Sequence, residues 1–225
     1  MRFYVNIIYI HGLDSDANST KGKLLEDYCQ KYHPDINVLR PDLNKTPEQV
    51  FKQILSLIER LDGQNKKAQD KPNKFFPTVL VGSSLGGYFS TVVSNHTGCP
   101  ALLLNPSIQP HITLQRFAKD FALKNNVKDE DLGKQVIHAT AGGWDITQID
   151  LQWFAAHQLS TVNYPNKIAV LIKEGDELLN PELSKQFYQT QGASVTMQTG
   201  GDHRFSDFIV QLPTVIEMLQ SLTRI

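Results

Sequence analysis

Cysteine is scarce in this chain. Cys29 and Cys99 are the two in 225 residues. The apolar start, Phe3 to Ile10, carries no basic leader and no small-residue cleavage site, so it reads as a strand and not as a signal peptide. Reduced thiols in a cytoplasmic protein are therefore expected, not a disulfide framework. No Cys/His cluster has zinc spacing, and no phosphate-cradling P-loop signature occurs. Asp14-Ser15-Asp16 begins like a calcium loop, but Ser19 stands where that loop needs glycine and Leu25 where it needs glutamate. No metal and no cofactor are expected. No run approaches the roughly 20 apolar residues of a membrane span. A formal net charge of -1 gives no long-range pull toward nucleic acid or an anionic membrane.

What is present is alternation. Apolar, β-branched runs predict strands at Tyr4–Ile10, Ile36–Arg40, Thr78–Val81, Ala101–Leu104, Lys167–Lys173 and Ser194–Gln198. Amphipathic runs between them predict helices at Ser19–Lys31, Pro47–Leu61, Leu85–Asn95, Pro181–Gln189 and Ser206–Leu222. Pro213 is expected to kink or restart the last of these. Such alternation argues for one α/β domain over residues 1–225, with a mostly parallel sheet of about six strands and helices on both faces. The polar stretch Asp62 to Asn73 reads as an exposed loop. The stretch from 105 to 165, after the fourth strand, is too long for a simple crossover. It is expected to be a largely helical, cap-like insertion with a glycine turn at Gly142-Gly143.

The chemistry centres on Gly82-Ser83-Ser84-Leu85-Gly86. The pattern Gly-x-Ser-x-Gly stands between an apolar run and an amphipathic one, the sequence form of a nucleophile elbow. A sharp strand-to-helix turn there requires small neighbours, and Gly82 and Gly86 flank Ser84 two residues on each side. A plain glycine turn is the alternative. A serine hydroxyl needs a base, and the base needs an orienting acid. Two loops at the C-terminal ends of later strands offer them in the order acid, then histidine. Glu174-Gly175-Asp176-Glu177 supplies Asp176, with Glu174 and Glu177 as alternatives. Gly201-Asp202-His203-Arg204 supplies His203, with Asp202 as a turn residue. Two backbone amides are expected to hold a developing oxyanion. One is that of Leu85, after the serine. The other is that of Leu13, after the first strand, with Gly12 as the fallback. Leu13, Tyr88, His111 and Trp144 are candidate pocket residues. His11 is expected to brace its loop by hydrogen bonds.

These motifs together resemble the small bacterial esterases of the YqiA/YcfP type, within the α/β-hydrolases. The matching residues are Tyr9-Ile10-His11-Gly12-Leu13-Asp14-Ser15, Gly82 to Tyr88, Asn105-Pro106, Gly175-Asp176-Glu177 and Gly201 to Phe205. The resemblance implies a cytosolic carboxylesterase or acyl-CoA thioesterase with Ser84, Asp176 and His203 as its triad. It also implies an aromatic residue where Leu13 stands, so the acyl pocket should differ. The expected fold is one α/β-hydrolase domain with sheet order 2-1-3-4-5-6 and Ser84 at the switch point. The expected partner is a small-molecule ester or thioester. A fold kept for binding without turnover, and an acyltransferase or peptidase using the same three residues, stand as rival readings.

Overall fold

A computed structural model describes residues 5–68, 77–128 and 132–223. In chain order the first half runs β1 (Val5–Ile10), α1 (Thr20–Tyr32), β2 (Ile36–Leu39), α2 (Pro47–Ala68), β3 (Thr78–Ser83), α3 (Leu85–Thr97) and β4 (Ala101–Leu104). An insertion follows, with α4 (Pro110–Thr113), α5 (Gln115–Asn125), β5 (Val136–Ala139), β6 (Asp145–Thr147) and α6 (Gln148–Ala156). The chain then returns through β7 (Ile168–Lys173), α7 (Pro181–Thr190), β8 (Ser194–Gln198) and α8 (Phe208–Thr223).

The main sheet has the order β2-β1-β3-β4-β7-β8, and its paired neighbours are parallel. This is the order expected, with β7 and β8 as its fifth and sixth strands. Both faces are covered, and strand periodicity divides the core in two. Val5, Ile7 and Tyr9 of β1 face Leu25 and Cys29 of α1 and Phe208, Leu212 and Val215 of α8. Ile8 and Ile10 face the other layer, which holds Ile54 of α2, Val93 of α3 and Tyr188 of α7. β3 and β4 alternate in the same way, Val79 and Leu102 one side, Leu80 and Leu103 the other. Such two-sided burial explains why these strands read as continuous apolar runs.

Three expectations need correction. The supposed loop from Asp62 begins as helix, because α2 continues to Ala68; residues 69–73 lie outside the described ones. Gln, Lys and Ala are good helix formers, so a polar run of them does not by itself mark a loop. Pro213 does not restart α8, which runs without a break from Phe208 to Thr223. The proline is the sixth residue of the helix, so α8 continues without the bond that an N–H at 213 would make to Ile209 O. The insertion is not simply helical either. β5 and β6 form an antiparallel hairpin, and its turn does contain Gly142-Gly143, with Gly143 at φ 92°. Strands of four and three residues are too short to display a period of two.

Candidate active site

Ser84 occupies the turn between β3 and α3 with φ 56° and ψ -119°. Few L-residues adopt this region, and holding a non-glycine residue there costs on the order of 1–3 kcal/mol. Packing around the turn enforces it. A Cβ on Gly82 would strike the Ser90 hydroxyl and the Gly86 carbonyl, and one on Gly86 would strike the carbonyl of Ile10. The backbone of Ser84 is also fully engaged. Its N–H donates to Leu104 O at 3.0 Å, and its carbonyl accepts from the amides of Gly87 at 2.9 Å and Ser107 at 3.0 Å. The side chain is left partly exposed at the C-terminal edge of the sheet.

His203 approaches from the loop after β8. Its Nε2 lies 2.9 Å from Ser84 Oγ, and its Nδ1 lies 2.8 Å from Asp176 Oδ2. An ionised carboxylate can only accept, so Nδ1 carries the proton. In the neutral ring Nε2 then presents a lone pair to the Ser84 hydroxyl. Asp176 is fixed in turn. Its Oδ1 accepts from the amides of Leu178 at 2.9 Å and Leu179 at 2.8 Å, and its side chain is 2 % exposed. Three residues separated by 27 and 119 positions in sequence thus form one hydrogen-bonded line. Of the alternative acids, Glu174 is exposed, and Glu177 takes a different position. Its Oε2 accepts from the backbone N–H of His203 at 2.9 Å. Asp202 makes a turn contact, accepting from Ser206 N at 3.1 Å.

Opposite the imidazole lies the loop after β1. His11 is buried, and burial holds its imidazole below the usual histidine range. Its Nε2 accepts from Leu43 N at 3.0 Å, which ties the β1 loop to the one after β2. Gly12 sits against the elbow, and a Cβ there would approach Ser84 Cβ to 3.1 Å. Leu13 and Leu85 both line a cleft of ≈ 780 Å³ that contains Ser84 and His203. Leu85 begins α3, so its amide has no acceptor within the helix.

The other pocket candidates lie elsewhere. Tyr88 is fully buried, and its hydroxyl donates to His157 O at 2.6 Å, pinning α6 to α3. Trp144 is buried and lines a separate void of ≈ 20 Å³ with His11 and Asn44, behind Leu13. His111 is half-buried on α4; Pro110 and Thr113 of the same helix line the cleft in its place. Helix phase turns Tyr88 and His111 away from the cleft, and Trp144 is carried off by the turn of the β5–β6 hairpin.

A family model described as "Uncharacterised protein family (UPF0227)" matches residues 6–220. The chain belongs to this family. The YqiA/YcfP-type resemblance read from the motifs is to the same family. Solved structures similar to this UPF0227 chain are α/β-hydrolase folds at low identity. Est1E from Butyrivibrio proteoclasticus is 13% identical, with a TM-score of 0.70 over 100% of this chain and 90% of that one. Alpha/beta hydrolase domain-containing protein 10 from mouse is 17% identical, with a TM-score of 0.66 over 97% and 90%. A thermophilic esterase from Thermogutta terrifontis is 15% identical, with a TM-score of 0.65 over 98% and 91%.

Asn105 is a site residue of this UPF0227 chain to which sequence reasoning gave no task. It is buried just past β4 with φ 42°. Its Nδ2 donates to the carbonyls of Asp202 at 3.1 Å and His203 at 3.3 Å, and its Oδ1 accepts from Lys173 N at 2.8 Å. One amide therefore joins the histidine loop to the end of β7, two residues before the glycine that precedes Asp176. The available signal was an Asn directly after a buried strand, a residue type enriched at positive φ. Lys173 supports the same junction through an ion pair with Asp207 at 2.6 Å.

Proposed function

We propose that this chain is a serine hydrolase that cleaves carboxylic esters or acyl thioesters through an acyl-enzyme intermediate. The observation that carries the proposal is the hydrogen-bonded line Ser84–His203–Asp176, its serine held at φ 56° beside an open cleft. In the first step His203 Nε2 takes the proton of Ser84 as Oγ attacks the substrate carbonyl. Asp176 holds the Nδ1 proton and stabilises the imidazolium. The amides of Leu85 and Leu13 receive the oxyanion, each contributing roughly 100- to 1000-fold in rate. The tetrahedral adduct then collapses: the bond from the acyl carbon to the leaving oxygen or sulfur breaks, His203 protonates that alcohol or thiol, and the acyl group stays on Ser84. Water enters, gives a proton to the same Nε2 and attacks the acyl carbon. Collapse releases the acid and returns the proton to Ser84.

The esterases among the similar structures support this reading. The segment 105–165 serves as the cap, since Pro110, Thr113 and Arg116 border the cleft. We assign the activity to the cytoplasm. Cys29 and Cys99 are free and buried, and burial pushes both thiols up to about 12, which suits reduced, inert cysteines. Among the described residues no helix is long and apolar enough to cross a membrane.

A fluorophosphonate probe should label the native chain once and leave Ser84→Ala unlabelled. The native chain should also hydrolyse p-nitrophenyl butyrate, and the variant should not. Equal labelling of both would remove Ser84 as nucleophile. Labelling with no turnover on a broad ester and thioester panel would favour transfer or binding over hydrolysis.

A further inference from the structure

The catalytic cleft extends past Ser84 to the N-terminal end of α1, and two cationic side chains border it there. Lys21 borders this arm from α1, and Arg204 borders it from the loop that carries His203. Lys21 is half-buried, and its Nζ donates to Arg204 O at 2.7 Å. An ammonium has three donors, so further hydrogen-bonding capacity remains. Burial lowers its pKa to about 8; Asp202 pulls it back up, and Arg204 pushes it down further. The attraction of Asp202 outweighs the repulsion of Arg204, but no carboxylate among the described residues stands at ion-pair distance from this ammonium.

The nearby carboxylates keep their charge, but each is held by other partners and none pairs directly with Lys21 or Arg204. Asp14 and Asp16 also border the cleft. Asp14 Oδ1 accepts from Ala141 N at 3.1 Å and lies 3.8 Å from His138 Nε2, so it belongs to the β5–β6 hairpin. Asp16 Oδ1 accepts from Asn18 N at 2.6 Å within its own turn. Asp202 Oδ1 accepts from Ser206 N. Neither Lys21 nor Arg204 forms an ion pair among the described residues. The first turn of α1 carries no acid, so its exposed amide dipoles add to the positive field.

We infer that the substrate carries an anionic group, a carboxylate or a phosphate, which seats against Lys21 and Arg204 while its carbonyl meets Ser84. The inference rests on the serine hydrolase reading above. It names the charge class of the ester and leaves the chemistry at Ser84 unchanged. The anion would take the free donors of Lys21 and the guanidinium of Arg204 as charge-assisted hydrogen bonds.

The test uses the full chain and two substrate pairs, each matched except for charge. One pair is p-nitrophenyl crotonate and the p-nitrophenyl monoester of fumaric acid, which adds a carboxylate on the acyl side that its trans double bond keeps from attacking its own ester. The other is S-butyryl-pantetheine and S-butyryl-4′-phosphopantetheine, which adds a phosphate on the leaving group. In at least one pair kcat/KM should favour the anionic member by about 10-fold or more, the worth of one charge-assisted hydrogen bond. The pair that shows the preference identifies the anion. Lys21→Met and Arg204→Met should each bring that ratio toward one. Lys21 also braces the carbonyl of Arg204 beside His203, so Lys21→Met can slow both members; that loss cancels in the ratio. A neutral member preferred or equal in both pairs would overturn the inference, as would a preference that survives in both variants. With normal fluorophosphonate labelling of Ser84, either result sinks the anion subsite alone. With no labelling and no turnover, the hydrolase reading and this inference fall together.

Discussion

Asp176→Asn separates orientation of the imidazole from the shape of the loop. The side chains are nearly isosteric, but the two carboxylate oxygens are not equivalent here. Oδ1 accepts from two backbone amides, those of Leu178 and Leu179. In the variant the amide oxygen must stay in that position, because an NH2 group there would face two donors. The NH2 group is therefore forced toward His203 Nδ1, where Asp176 Oδ2 now sits at 2.8 Å. To avoid a donor–donor clash the ring adopts the other tautomer. Nδ1 then accepts, and Nε2–H points at Ser84, where no lone pair remains to take the proton. The expected loss is about 10⁴-fold in kcat, or roughly 5.5 kcal/mol of transition-state stabilisation. KM for p-nitrophenyl butyrate should change little, and so should the urea midpoint. The assay is steady-state turnover, joined to the second-order rate of fluorophosphonate labelling, which should fall in parallel. A folded variant within about 10-fold of the native kcat would refute the reasoning. The acid would then have to be Glu177, which now binds the backbone of His203.

Three further predictions follow from the same contacts. Asn105→Asp keeps an acceptor for Lys173 N but sets a carboxylate against the carbonyls of Asp202 and His203; kcat should drop about 100-fold with KM nearly unchanged, as for a misplaced base, and an unaltered kcat would show that this junction does not position His203. Gly86→Ala drives a methyl into the carbonyls of Ile10 and His11, so urea denaturation should show a loss of about 1–3 kcal/mol or more, whereas a native midpoint would mean the elbow can relax. His11 has a depressed pKa because of burial. The unfolded chain thus binds a proton that the folded chain refuses, and stability present above about pH 6.5 should decline as pH falls toward 5. His11→Gln should flatten that decline; His111, depressed for the same reason, contributes the remainder.

Much of the fold was legible because the sheet is buried on both faces. Ala101–Leu104 is a strand over the residues that the apolar run marks, and all four are buried; the edge strand Ser194–Gln198, which is not, was marked by its β-branched residues instead. Helices that pack on the sheet were legible for the matching reason, since a stripe such as Val50, Ile54 and Ile58 must face something. Reading failed where packing stops dictating sequence. Beyond Leu61 the polar end of α2 resembled a loop, and the short β5–β6 hairpin left no period to detect.

The site divides along a similar line. The elbow was determined by sequence alone, because backbone strain at φ 56° and tight packing leave glycine little alternative at positions 82 and 86. The chain order of Ser84, Asp176 and His203 was likewise written in motifs at strand ends. Only the tertiary structure decided which acid meets the imidazole. Asp176 and Glu177 are neighbours, and their two side chains bind opposite parts of the same histidine, one the ring and one the backbone. Only it decided that Tyr88, His111 and Trp144 leave the cleft to Lys21 and Arg204. Local spacing fixes which residues reach one edge of a sheet, but the direction of a side chain there depends on helix phase and loop closure from distant parts of the chain.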